Sequence, residues 1–379
     1  MMKKEIFIAK TFAGIEPLLY DELIALGAEN CQIMNRSVQF EGPIDLLYRA
    51  NYYCRTALRI LLQVDSFSFS GNKDFYSSIF NFPSEKFLDK EGTLAVSTTM
   101  HNSIFNSPLF ASVLAKDAIC DRFRDKYGVR PSVDKENPDV QFHIHIFNDQ
   151  ATLFLDSSGD SLHKRGYKVS NHPAPINEVV AAAMIKLSGW QGECDFIDFM
   201  CGSGTILIEA AMAALNIPAG FYRAHFGFFS WLNFDNKMWQ GIVDEARILS
   251  DININLYGYD ISPRYLGMAK VNVEEAGLQD FITLKKKDML LTSPVRTPAF
   301  IISNPPYGER LEVDDINDFY KQIGDTLKNN YPQCTAFIIS SDFDALKNLG
   351  LHPSRRFTLF NGQLECKFFK YDLYKGKKQ

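Results

Sequence analysis

The sharpest chemical signal in the sequence is Asn304-Pro305-Pro306-Tyr307, which follows the apolar run Phe300-Ile301-Ile302. Two consecutive prolines fix φ and withdraw backbone donors, so the strand must end in a rigid corner. Such a corner can hold the Asn304 side-chain oxygen and the Pro305 carbonyl convergent. A planar NH2 group has two N–H donors, and two convergent acceptors can take both. Those bonds draw the nitrogen lone pair out of ring conjugation and make it nucleophilic. Tyr307 offers a face on which a splayed base can stack. The chemistry indicated is group transfer to an exocyclic amino nitrogen, helped by positioning and by acceptors for the developing positive charge. No strong base is needed before attack, because the proton can leave afterwards.

Three further motifs sit at strand ends. Asp195-Phe-Ile-Asp198 runs into Cys201-Gly202-Ser203-Gly204-Thr205 and then a helix. Glycines allow a tight turn and close approach to a ligand, and the helix N-terminus offers free N–H groups. A lone G-x-G could equally serve a dinucleotide, although the third glycine of the longer fingerprint is absent. In Gly258-Tyr259-Asp260-Ile261-Ser262-Pro263, the acid can accept both hydroxyls of a ribose. Its distance from the glycine loop exceeds the usual ~20 residues, so an insertion must lie between. The aromatic-rich, aperiodic stretch Phe221 to Trp239 fits that role. The third motif is Lys287-Asp288-Met289.

The elements that must position these residues fall into two regions dividing near 157–175. The first reads as strand 5–10, helix 15–26, strands 31–36 and 37–41, helix 43–54 and strand 59–67, a small α+β unit of ferredoxin-like type. Helix 73–80, strand 93–99, helix 107–127 and strands 141–146 and 151–156 follow, the last two joined by the Asn148-Asp149 turn. His143 and His145 share a strand face with no third ligand nearby, so no metal site is expected. After residue 175 the pattern alternates regularly: helix 177–187, strand 195–200, helix 205–215, a helix near 239–250, strand 256–260, helix 263–275, strands 282–287 and 299–303, helix 316–331 and strand 335–340. A final pair, 357–360 and 364–371, flanks Asn361-Gly362, a hairpin signal. Repeated β–α units imply an open, mostly parallel sheet covered on both faces, with an antiparallel hairpin at one edge. Ligands of such sheets bind beyond the C-terminal strand ends.

The 379 residues exceed one ordinary core, and 46% hydrophobic with 22% charged residues is a globular composition. No run approaches the ~20 apolar residues of a membrane helix. The lysine-containing start reads as a first strand and not as a signal peptide. Seven scattered cysteines without a CxxC pair point to reduced thiols in the cytoplasm, with neither a disulfide framework nor a cysteine-based zinc site. The net charge of −5, and the net acidic balance of residues 1–157, weigh against nucleic acid as a partner unless basic groups are focused in a patch. One such cluster is His163-Lys164-Arg165.

Taken in order, the four motifs resemble those of Rossmann-like amino-methyltransferases carrying Asn-Pro-Pro-Tyr, a superfamily acting on DNA adenine N6, RNA guanine N2 and protein glutamine N5. The extension Gly308-Glu309-Arg310, the segment Asp156-Ser-Ser-Gly-Asp-Ser-Leu-His-Lys-Arg-Gly-Tyr167, Ala174-Pro175-Ile176-Asn177-Glu178, and the stretches Phe228 to Trp231 and Asn233 to Asp235 narrow the likeness. They resemble bacterial 23S ribosomal RNA guanine-N2 methyltransferases with a THUMP domain, a group also labelled adenine-specific DNA methylases. The specific matches cover roughly residues 157–310. The resemblance implies an α/β chain with a ferredoxin-like domain (1–65), a THUMP RNA-binding domain (66–157) and a class I methyltransferase domain (158–379). With Gln379 as its last residue, no second catalytic domain is expected.

It also implies S-adenosyl-L-methionine as cofactor, held by Asp198, Cys201, Gly202, Ser203, Gly204, Thr205, Asp260, Asp288, Asn304, Pro175 and Glu178. Asn304, Pro305 and Tyr307 become the catalytic residues, and His163, Lys164 and Arg165 contacts for RNA. The expected partner is 23S ribosomal RNA, with no membrane and no metal. Alternatives are a tRNA guanine-N2 methyltransferase, a DNA adenine or protein glutamine methyltransferase, and a non-catalytic RNA-binding assembly factor. The strand-rich first half disfavours the glutamine enzymes, and the intact loop and Asn304 disfavour the assembly factor.

Overall fold

The structure, a computed structural model, describes residues 4–170, 175–249, 252–306 and 316–375. The chain forms two compact units, the first mainly residues 1–11, 19–162 and 224–245, the second mainly 12–18, 163–223 and 246–379.

In the first unit, β1 (Glu5–Lys10), α1 (Glu16–Ala25), β2 (Glu29–Met34), β3 (Ser37–Gly42), α2 (Ile44–Tyr53) and β4 (Arg59–Ser68) are followed by α3 (Asn72–Asn81), β5 (Thr93–His101), α4 (Pro108–Tyr127), β6 (Ser132–Val133), β7 (Val140–Phe147) and β8 (Gln150–Asp156). The strands make one eight-stranded sheet in the order β2-β3-β1-β4-β8-β7-β5-β6. Its middle is β4, which pairs antiparallel with β1 on one side and β8 on the other. The sheet therefore runs unbroken past residue 65, which lies inside β4. Alternation decides which face is buried: Phe142, Ile144 and Ile146 are fully buried, while His143 on the other face bonds the hydroxyls of Ser97 and Thr99. β2 ends at Met34, short of the expected 36, because Arg36 takes a left-handed φ of 54° in the turn to β3.

The second unit contains α5 (Glu178–Ser188), β9 (Asp195–Asp198) and α6 (Thr205–Ala214). The next helix, α7 (Asn236–Asp244), lies within the 224–245 stretch that belongs to the first unit. Then come β10 (Leu256–Asp260), α8 (Pro263–Glu275), β11 (Ile282–Lys286), β12 (Ala299–Ser303), α9 (Ile316–Asn330), β13 (Thr335–Ser340), α10 (Phe343–Asn348), β14 (Arg355–Asn361) and β15 (Leu364–Asp372). The sheet order is β11-β10-β9-β12-β13-β15-β14. Five strands are parallel, and β15 is antiparallel to both β13 and β14. The chain leaves β9 toward β10 on one side and returns through β12 on the other. That reversal opens a crevice beyond the ends of β9 and β12. The strands flanking it and their neighbour β13 are deeply buried, with Ile197, Ile301, Ala336 and Ile338 all at 0% exposure.

The aromatic insertion takes its place in the first unit. Phe226, Phe228, Phe229, Phe234 and Trp239 pack around one another and around Tyr48 and Tyr52 of α2, with ring centroids 4.5–6.3 Å apart. Such pairs add about 0.5–1.5 kcal/mol each beyond area burial. Gly227 lets this stretch pass close to the backbone that follows β8, since a Cβ there would lie 2.8 Å from the Asp156 carbonyl oxygen. The helix expected near 239–250 is instead 236–244, because the Asp235 carboxylate caps it by accepting from the Met238 N–H at 3.0 Å. The six-residue α10, capped by Asp342, is too short to carry a periodic signal.

Candidate active site

β9 ends at Asp198, and the chain turns through residues 199–204 into α6. Gly202 and Gly204 have φ of 53° and 83°, the left-handed region that other residues enter at a cost. Two backbone bonds shape the loop, Cys201 N–H to the Tyr259 carbonyl (2.9 Å) and Gly204 N–H to the Cys201 carbonyl (2.8 Å). The Cys201 thiol is buried under Gly258, where a Cβ would stand 3.2 Å from its Sγ, and burial pushes its pKa well up. Cys201 thus packs, and only its backbone faces the loop. Ser203 and Thr205 are also buried.

Three acids stand at adjacent strand ends. Asp198 Oδ1 accepts from Ser303 Oγ at 2.7 Å and the Met200 N–H at 3.2 Å. Burial raises its pKa to about 7; the bonds from Ser303 and Met200 oppose the rise, and the nearby Asp260 charge adds to it. Asp260, on the next strand, accepts from the Gly202 N–H at 3.0 Å and the Ser262 N–H at 2.9 Å. One carboxylate therefore links the second strand end to the glycine loop. Asp288 follows β11 and accepts from the Leu290 N–H at 3.0 Å through Oδ1. The Lys287 N–H bonds the Asp260 carbonyl at 3.1 Å, so Asp288 is held one strand beyond Asp260.

Asn304 comes immediately after Ser303, at the end of β12. Its Oδ1 is buried and accepts no hydrogen bond among the described residues. An unsatisfied buried amide oxygen costs about 1–3 kcal/mol, and such costs persist where a ligand's donor completes the bond. The Pro306 carbonyl accepts from Tyr320 Oη of α9 at 3.3 Å, and that hydroxyl also lies 2.9 Å from Ser340 Oγ. A buried polar prop therefore stands behind the corner. Tyr307 and the following Gly308-Glu309-Arg310 lie outside the described residues. Sequence reasoning missed Ser303 and Tyr320. Ser303 was accessible to it, as a polar residue closing a buried strand one position before the motif.

A family profile described as an RMKL-like methyltransferase domain matches residues 165–370. The chain belongs to the RMKL-like methyltransferase family. Two further profiles match ahead of the methyltransferase domain, an RlmL ferredoxin-like domain over 6–61 and a THUMP domain over 72–156. The chain is 36% identical over 376 residues to the ribosomal RNA large subunit methyltransferase K/L of Methylococcus capsulatus, covering 97% of this chain and 51% of that protein. It thus spans about half the length of most curated relatives it matches. Protein slr0064 of Synechocystis sp., whose name places it provisionally among RNA methyltransferases, is 35% identical, with 97% of both chains covered. The structure of SMU.472 complexed with SAH (S-adenosylhomocysteine) is similar over the full length of both chains, with 30% identity and a TM-score of 0.88.

The remaining expected site residues lie at the start of the methyltransferase domain, and one faces the wrong way for its expected role. Arg165 is 1% exposed and points into the fold, its Nε and Nη2 lying 3.3 and 3.5 Å from the two Glu209 oxygens of α6. Tyr167 Oη donates to the same carboxylate at 3.1 Å. Gly166, with φ of 104°, makes the tight turn: a Cβ there would be 2.1 Å from the Tyr222 carbonyl oxygen. A guanidinium so committed has nothing to offer an RNA phosphate. Of the cluster only Lys164 is exposed, and His163 is half-buried. Glu178 is likewise paired, with Lys168 Nζ at 2.8 Å, and Asn177 caps α5 through the Val179 N–H. Pro175 is exposed.

Proposed function

We propose that this chain is an S-adenosyl-L-methionine-dependent RNA methyltransferase that methylates the exocyclic N2 amine of a guanine in 23S ribosomal RNA. The observation that carries the reading is the buried Asn304 oxygen, unpartnered among the described residues, at the sheet's reversal point with the glycine loop and the acids Asp198, Asp260 and Asp288. These groups fit a nucleoside cofactor with an amino-acid tail. Asp260 and Asp288 retain lone pairs for the ribose hydroxyls and the adenine amino group. The loop of residues 201–205 gives backbone room for the tail, with Asp198 as the nearest carboxylate to a cationic group. When bound, S-adenosyl-L-methionine supplies an activated methyl group.

The protein's part is positional. Asn304 Oδ1 and the Pro305 carbonyl accept the two N–H bonds of the guanine amine and orient its lone pair. Tyr307, outside the described residues, is assigned the stacking face for the base. The amine nitrogen so oriented would take the methyl group that the cofactor supplies, with the cofactor's sulfur as leaving group, and its surplus proton would leave to solvent. The buried prop from Tyr320 keeps the corner rigid, so positioning supplies most of the rate enhancement. RNA as the substrate is supported by the matched THUMP domain and by the names of the relatives, and within the 163–165 cluster Lys164 is the residue placed to meet a phosphate.

The test is to incubate the protein and tritiated S-adenosylmethionine with 23S RNA, tRNA, DNA and a protein extract from cells lacking it, then to identify the labelled nucleoside. N2-methylguanosine in 23S RNA supports the reading. The same nucleoside in tRNA moves the substrate assignment, and label in DNA or protein overturns it.

A further inference from the structure

Asn272, absent from every motif, lies in the last turn of α8 and is fully buried. A polar side chain there must satisfy all its donors and acceptors. Its Oδ1 accepts from the N–H groups of Val169 and Ser170 at 3.1 and 3.0 Å. Its Nδ2 donates to the carbonyls of Ser170 and Ser203 at 2.9 and 3.0 Å. Only this amide orientation matches two donors and two acceptors, so the four bonds define one rotamer. Ser203 lies between the two left-handed glycines of the cofactor loop. One turn back on the same helix face, Ala269 touches the loop from below, its Cβ 3.3 Å from where a Gly204 Cβ would stand. One face of α8 thus sets both the height of the loop, through Ala269, and the direction of its Ser203–Gly204 peptide, through Asn272. The same side chain ties in residues 169–170.

We propose that Asn272 is a positioning residue for the cofactor: its amide fixes the Ser203 carbonyl so that the loop is preformed for the ligand's tail. The inference rests on the cofactor reading given above. It makes a demand that simple space-filling does not. Aspartate has nearly the shape of asparagine and keeps the oxygen that accepts from Val169 and Ser170, but it replaces the Nδ2 donor by an oxygen facing two carbonyls. Alanine leaves those carbonyls unpartnered without opposing them. If Asn272 only fills space, Asn272→Asp is the milder change. If it orients the loop, Asn272→Asp is the worse one.

The experiment is calorimetric titration of the full chain with S-adenosylhomocysteine, comparing wild type, Asn272→Ala and Asn272→Asp, with folding checked by circular dichroism and steady-state kinetics on RNA alongside. The expected result is about tenfold weaker binding for Asn272→Ala, a larger loss for Asn272→Asp, and a raised KM for cofactor with KM for RNA unchanged. If Asn272→Asp fails to fold, Asn272→Ala decides alone, and wild-type affinity in that variant overturns the proposal. Equal affinities in the folded variants, or a greater loss in Ala than in Asp, also overturn it. Absence of binding by wild type would instead sink the cofactor reading on which it rests.

Discussion

Replacing Asp198 by asparagine is expected to make the methyltransferase-bearing unit more stable above neutral pH. Asp198 is a fully buried carboxyl whose pKa burial lifts from 3.8 to about 7. Its folded pKa thus lies above its unfolded one. The protonated group favours the fold fully below pH 4, and that contribution is lost progressively as pH rises to 7 and stays lost above it. At about 1.4 kcal/mol per pH unit, the cost of the ionised form above pH 7 is on the order of 4 kcal/mol. Asparagine keeps an acceptor for Ser303 Oγ and the Met200 N–H but cannot ionise. In urea denaturation of the ligand-free protein, followed by a probe in residues 246–379, the variant and wild type should match near pH 4. They should diverge between pH 4 and 7, and the gap should stay flat from pH 7 to 9. On the cofactor reading proposed above, the variant should also bind S-adenosylhomocysteine more weakly at pH 8, having lost the charge assigned to the ligand's ammonium group. A variant no more stable than wild type at pH 8 would refute the reasoning, because the carboxyl would then be solvated or already paired.

Breaking the buried Arg165–Glu209 pair with Arg165→Met should cost about 3–5 kcal/mol, because it strands a buried carboxylate; the double variant Arg165→Met/Glu209→Gln should recover much of that loss in the same denaturation assay. Gly204→Ala must hold φ near 83° with its Cβ against Ala269, so a loss of about 1–2 kcal/mol is expected, with weaker S-adenosylhomocysteine binding by calorimetry. Gly324→Ala would place a Cβ 1.9 Å from the Leu349 carbonyl oxygen and should lower stability by about 3 kcal/mol while leaving ligand affinity in the folded fraction intact.

The catalytic fold was legible because its signals are local. Gly202 and Gly204 hold the left-handed angles that their chemistry suggested, and Asn361-Gly362 does mark the closing hairpin, with Gly362 (φ 70°) as the first turn residue. What stayed hidden depends on long-range packing. A run such as His163-Lys164-Arg165 reads as a solvated patch, and nothing nearby in sequence says that Glu209, forty-four residues on, will draw Arg165 inside. The aromatic stretch could be placed as an insertion, but its company with Tyr48 and Tyr52 is a tertiary fact. Asn272 was invisible for a similar reason: one polar residue in an amphipathic helix looks like part of the wet face until its four partners are seen.

The Asn304 oxygen, unpartnered among the described residues, is proposed to receive a substrate N–H. The most direct test of this central proposal is single-turnover methyl transfer to 23S RNA by Asn304→Ala, with S-adenosylhomocysteine and RNA affinities measured on the same preparation. The account predicts that transfer falls at least about a hundredfold, the scale of losing one preorganised hydrogen-bonding group, while both affinities stay within a few-fold and stability does not drop. Transfer at the wild-type rate, or a loss traced entirely to failed cofactor or RNA binding, would contradict it.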